Sequence, residues 1–277
     1  EERTDNADEI IEAMKDLYSI YDDGYIEWLG ALYDKERGAF YFSNSARDNP
    51  EFFPDIESTV QAVNNSLSLG LISSPDELPE EVKQGITKFT KSLLDPDDGF
   101  FYHPQWGKEI GHARLGRDYS QCLGLIRMMG GKPLYKTATE RISENTKRGE
   151  PAKEDTGVPE HLKSKEAFVK YLDKMVEVNA HFHDVGHILS SQTASIKAAG
   201  LAEVCMEYLN GYQSAETGYW DEGKQHEYNK ISAIIKIAGL YSGLGGRLRY
   251  MDKVIDSAIA TICSSYEPSD HNICFIY

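Results

Sequence analysis

The sequence predicts an all-α protein, and three observations carry that reading. Apolar residues recur at i, i+3/i+4 along most of the 277 residues, the spacing of helices with one face to bury. No segment keeps the period of two that a half-buried strand requires, so sheet is expected only as short pairings in loops. Loops holding an acidic residue and a glycine return about every 60 residues, which divides the chain into helical hairpins.

The helical stripes follow in order. Ile10, Met14, Leu17 and Tyr21 give the first, and Ile56, Val60, Val63 and Leu67 the second. Val82, Ile86, Phe89 and Leu93 form the third; Leu115, Tyr119, Cys122, Leu123, Ile126 and Met129 form the fourth. Phe168, Leu172 and Met175 come next, then Leu201, Val204, Cys205 and Tyr208. Ile231, Ile234, Ile235, Ala238 and Tyr241 precede a last stripe of Val254, Ile255, Ala258 and Ile262. The punctuation agrees. Pro79 suits the first helical position, with Glu80 and Glu81 where the helix dipole favours anions. Ser164 is placed as an N-cap. Gly70, Gly130 and Gly211 follow apolar runs as helix-ending glycines do.

Four loops share a pattern: Asp34 to Phe40 around Gly38, Asp95 to Phe101 around Gly99, Glu154 to Gly157, and Glu216 to Trp220 around Gly218. Their glycines lie 61, 58 and 61 residues apart. Glycine permits a left-handed backbone at the helix exit, and the aromatic that follows is expected to plug the gap between neighbouring hairpins. The third loop carries Val158 in the aromatic's place. No linker rich in Pro, Gly or Ser interrupts the pattern, so residues 1–277 read as one domain. The loops at 34–54, 95–113, 148–163 and 213–226 are longer than turns need, and sites gather on such loops.

The stretch Gln213-Ser-Ala-Glu216-Thr-Gly218-Tyr-Trp220 has the Gln-x4-Gly-x-Trp form of the QW motif. In this it resembles the repeats of the terpenoid cyclase and protein prenyltransferase superfamily, and Gly38-Ala-Phe40 and Asp98-Gly99-Phe100 look like weaker copies. The resemblance covers about residues 30–250. It implies an α/α toroid, here a partial or incomplete ring, because the chain supplies about four and a half hairpins where such rings hold five to seven. Related toroids serve polysaccharide lyases and glycoside hydrolases, so the fold leaves the reaction open.

The formal net charge of −16 repels phosphate backbones and anionic lipid, which argues against nucleic-acid and membrane-surface partners. No run of 18 apolar residues is present, so no membrane span is expected. The cysteines Cys122, Cys205, Cys263 and Cys274 form no CxxC pair, and the first three are expected buried and reduced. That favours the cytoplasm slightly over secretion, although the sequence starts at Glu1 and not at Met. Oligomeric state is not readable, and no cofactor is implied.

Three regions carry residues capable of chemistry. Asp95-Pro-Asp97-Asp98 matches the letters of the cyclase acid motif, but its register with Asp34 and Glu216 points to a solvated turn. His181-Phe-His183-Asp184-Val-Gly-His187 holds three of the eight histidines. His183 and His187 share a helix face, so His181, His183 and His187 form a minor alternative as metal ligands, while a hydrogen-bonded helix end is the plainer reading. Tyr102-His103-Pro-Gln-Trp106 with Arg114, Arg117, Asp118 and Tyr119 is the preferred site region. His103, Asp118 and His183 are the catalytic candidates. Trp106, Arg117, Tyr119, Trp220 and His226 are the substrate-binding candidates, combining aromatic platforms with polar groups. A lyase needs a base and a cation that stabilises the enolate; a hydrolase needs facing carboxylates, for which Asp55, Glu57 and Asp118 qualify. The expected function is a carbohydrate-active or glycan-binding protein that takes an oligosaccharide or other small ligand in a central cleft. The alternatives are a non-catalytic repeat module for a protein or peptide partner and a terpenoid cyclase.

Overall fold

A computed structural model describes residues 6–147, 158–179, 181–220 and 227–263. These residues are mostly helical, and the chain folds as two compact units. The first comprises Glu1–Leu93, His103–Gly107 and Gln121–Pro133; the second comprises Leu94–Tyr102, Lys108–Ser120 and Leu134–Tyr277. None of the described helices is long and apolar enough to cross a membrane.

The first unit begins with α1 (Ala7–Tyr18) and α2 (Asp23–Ala31). A two-residue hairpin follows, β1 (Tyr33–Asp34) pairing antiparallel with β2 (Ala39–Phe40). Next come α3 (Asn44–Arg47), α4 (Ile56–Ser68) and α5 (Glu80–Ser92), and the second half of α6 (His112–Met128) completes the unit. Asp55 caps α4 by accepting the Ser58 N–H at 2.9 Å, which leaves Ile56, Val60 and Val63 on the buried side. Val60 and Val63 meet Leu32, Phe40, Ile86 and Leu125 in one apolar cluster. The α1 stripe departs from the sequence expectation of a buried face. Ile10 and Met14 are each 49% exposed and Leu17 is 59% exposed.

The second unit holds α7 (Ala138–Lys147), α8 (Lys165–Val178), α9 (Phe182–Ser191), α10 (Thr193–Ala198), α11 (Ala202–Asn210), α12 (Glu227–Leu244) and α13 (Met251–Ile262). Ser164 caps α8 through Ala167 N–H, as the sequence indicates. Phe168, Leu172, Val185, Leu189, Cys205, Leu209, Ile237 and Tyr241 share one core. α9 and α12 approach so closely at Gly186 that a Cβ there would lie 3.0 Å from the Ile237 side chain. Gln213 donates to Gly218 O at 3.0 Å and to Arg249 O at 2.9 Å. Trp220 donates its indole N–H to Leu209 O at 2.9 Å. The motif's glutamine therefore ties its loop to the segment before α13, and its tryptophan closes the end of α11.

Three of the glycine loops have the same internal geometry. Gly38, Gly99 and Gly218 have φ of +74, +78 and +76°, and each glycine N–H bonds the carbonyl four residues earlier, at Asp34, Asp95 and Ser214. The side chain at that position also accepts the N–H groups two and three residues on. Ser214, rather than Glu216, thus stands in register with Asp34 and Asp95, because a hydroxyl can accept those N–H groups as a carboxylate does. The third sequence copy, Glu154 to Gly157, lies outside the described residues.

Two smaller expectations are corrected. Cys263 is exposed, whereas Cys122 and Cys205 are buried; Cys263 follows α13, whose Ile255 and Ile259 are themselves 50% and 54% exposed. Gly211 caps the end of α11, as the sequence indicates, with a right-handed φ of −67°. Pro79 is the residue before α5 rather than its first, with ψ of 137°. Cys274 lies outside the described residues.

Candidate functional site

The second unit contains a cavity of about 360 Å³, within the range of roughly 300–1,000 Å³ usual for small-molecule sites. Three elements build its polar wall: the start of α6 with His112, the turn before α8 with His161, and the α9–α10 junction with Gln192 and Ser195. Gly116 permits the construction, since its Cα lies against the Ser191 backbone, where no side chain fits. Asp98 and Tyr102 face the wall, and Phe100, Val158 and Leu162 supply its apolar part.

The rings of His112, His161 and Tyr171 cluster tightly. His161 stacks on Tyr171 at 4.1 Å and on His112 at 4.8 Å between centroids. A hydrogen-bond chain runs through them, and its direction is fixed by one main-chain carbonyl. Gln192 Nε2 lies 3.2 Å from Ile188 O and 3.0 Å from Tyr171 Oη. A carbonyl only accepts, so the amide nitrogen must be on that side. Gln192 Oε1 then accepts from His161 Nε2 at 2.7 Å. Tyr171 Oη accepts from Gln192 and gives its own proton to His112 Nδ1 at 3.1 Å. His161 thus carries a proton on Nε2, and His112, where it accepts from Tyr171, carries its own on Nε2. Burial holds His161 down at about 4 against its ordinary 6.5, and burial also lowers His112. On the opposite side Tyr102 donates to Asp98 Oδ2 at 2.7 Å, and burial first, then Asp98, raises its hydroxyl well above the ordinary value.

The residues expected from the sequence lie elsewhere. His103 and Trp106 belong to the first unit, stacked at 4.3 Å beside a smaller cleft of about 290 Å³ that His103 lines with Phe53 and Phe89. His103 Nδ1 accepts from Gln105 N and its Nε2 donates to Pro54 O, so both ring nitrogens brace the loop. Asp118 is fully buried, with Arg114 Nε at 2.8 Å. Tyr119 is buried and bonds Thr139 at 2.5 Å, fixing α6 to α7. His183 bonds Asp184 at 3.2 Å. His187 is lowered by burial, then by Lys236 and Arg117, which places Arg117 in its electrostatic surroundings. Trp220 is 4% exposed and His226 lies outside the described residues. None of the described side chains among them lines the larger cavity.

Asp95 accepts from Asp97 and Asp98 N–H and pairs with Lys108, the arrangement of a solvated turn. Among the described residues, no three His, Cys, Asp or Glu side chains come together as a metal site. No protein family, curated protein or solved structure matches the chain. Its chemistry therefore has to be read from the cavity.

Proposed function

We propose that this protein is a carbohydrate-binding or carbohydrate-active protein of the α/α-toroid type, and that it takes its ligand in the cavity beside His112 and His161. The observation that carries this reading is the His161–Gln192–Tyr171–His112 chain. It lines a small-molecule cavity with neutral donors and acceptors next to apolar surface, the mixture a hydroxylated ring requires. The common geometry of the Gly38, Gly99 and Gly218 loops and the bracing by Gln213 and Trp220 support the toroid. Among the described residues lining the cavity Asp98 is the one carboxylate, and it already accepts Phe100 N–H and the Tyr102 hydroxyl. Glycoside hydrolysis needs two carboxyl groups, so the cavity favours binding over cleavage.

The alternative of a protein-binding module draws on the exposed α1 row of Ile10, Met14 and Leu17, because uncovered apolar faces mark partner surfaces. A cyclase reading lacks a comparable support: it needs a strong acid in an apolar cavity, and Asp97 is exposed.

Calorimetric titration with neutral and acidic oligosaccharides tests the reading. At least one sugar is expected to bind, and the exposed rim substitution His112→Ala is expected to weaken it about tenfold, the worth of roughly one hydrogen bond. Absence of binding across the panel would overturn the carbohydrate assignment.

A further inference from the structure

The polar wall of the cavity has a fixed polarity. Once Ile188 O sets the Gln192 amide, His161 Nε2–H donates to Gln192 and Gln192 donates to Tyr171, which leaves the Tyr171 hydroxyl proton with His112 Nδ1 as the acceptor within reach. Two ring nitrogens are left over, one at each end of the chain. His112 keeps an N–H on Nε2, and His161 keeps a lone pair on Nδ1. The two rings are stacked 4.8 Å apart. The wall thus offers one donor and one acceptor side by side. Ser195, buried and lining the same cavity, adds a hydroxyl that can serve either way.

We propose, resting on the carbohydrate reading above, that the chain selects neutral sugars presenting two adjacent gauche hydroxyls and rejects their uronic-acid counterparts. One hydroxyl accepts from His112 Nε2–H while its neighbour donates to His161 Nδ1. A uronate keeps the same hydroxyls, so its rejection rests on the carboxylate, which only accepts and carries a charge. In the cavity it would face the lone pair of His161 and the charge of Asp98, and among the described residues no Lys or Arg lines the cavity. A neutral sugar pairs its diol with the donor and the acceptor and adds no charge beside Asp98. The burial that keeps His161 neutral near pH 7 keeps its acceptor in place.

Tyr171 is not among the lining residues, so it acts as a positioning residue that holds the His112 tautomer. Nitrogen NMR of the histidine rings at pH 7.5 reads this directly. His112 and His161 are expected neutral with the proton on Nε2, and Tyr171→Phe is expected to give His112 a substantial Nδ1–H population while the spectrum stays that of a folded protein. Calorimetry with glucose, galactose and mannose against glucuronate and galacturonate reads the selectivity. At least one neutral hexose is expected to bind tenfold or more tighter than its uronate, with Tyr171→Phe lowering the neutral affinity about fivefold. Uronates binding as well as hexoses, or a wild-type His112 protonated at Nδ1, would overturn this selectivity while leaving sugar binding intact. Absence of binding by every sugar would overturn both readings.

Discussion

Replacing Gly99 with alanine is expected to destabilise the second unit by about 3–5 kcal/mol, the range reserved for substitutions with a definite steric cause. Gly99 sits at φ +78°, where an L side chain costs on the order of 1 kcal/mol before any contact is considered. The larger cost is the space. A Cβ there would lie 2.5 Å from Ala138 N and 2.6 Å from Lys136 O. Those are backbone atoms at the start of α7, so no rotamer change relieves the clash. Either the loop or the helix has to move. Movement weakens the bond from Ala138 N to Gly99 O at 2.9 Å, the Arg141 contacts to Pro96 O and Asp97 O, and the seating of Phe100 and Phe101 on Tyr119. Gly130 provides the control. Its φ is +70°, but nothing lies within 4 Å of an added Cβ, so Gly130→Ala is expected to cost about 1 kcal/mol. Urea unfolding of the two variants separates the effects. Equal losses would mean that the Gly99 loop is free to move away from α7.

How much of this was legible in the sequence depended on whether the signal was local. Helices announce themselves through spacing, and the β1–β2 pairing needed only a glycine between short apolar runs. The loop register was nearly legible. Asp34 and Asp95 marked it, but Ser214 was hidden because a hydroxyl is a less obvious acceptor than the neighbouring Glu216. The α1 row shows the limit of periodicity, which gives a helix an apolar face but does not say what covers it. The site was the least legible part. His112, His161, Tyr171 and Gln192 are spread over 81 positions of the chain and form no motif. The close approach of Gly116 to the Ser191 backbone brings α6 and the α9–α10 junction together. A dense run of reactive side chains need not mark a site. His103 and Trp106 are near neighbours because they stack on each other, and Trp220 follows a glycine because it closes a helix end. One signal was available: His161 and Gln192 are polar residues set among buried apolar neighbours, which implies a partner for each.

Acidification from pH 7 to 4 is expected to remove on the order of 3 kcal/mol of stability through His161 alone. The sign follows from proton binding. Burial holds the native side chain at about 4, while in the unfolded chain it takes its ordinary value near 6.5. Between those values the unfolded state binds the extra proton, so stability rises with pH across that window. The contribution is complete above pH 6.5, falls progressively below it, and is fully lost under pH 4. His187 acts in the same direction, with its value lowered by burial, but its partial exposure makes its share smaller. Asp95 acts at lower pH. Its carboxyl is held below the usual value by Lys108 and by the N–H groups of Asp97 and Asp98, which together outweigh its burial, so its stabilisation disappears only as the pH falls through the carboxylate range. Urea unfolding at pH 7.5, 6.0 and 4.5 measures the slope, and His161→Gln isolates the histidine's part. Glutamine does not titrate, and its amide can still donate to Gln192. The variant is expected to be less stable than the parent at pH 7.5, through lost stacking on Tyr171, and to close most of that gap by pH 4.5. A variant whose stability falls with pH as steeply as the parent's would show that His161 is not the group that couples protons to folding.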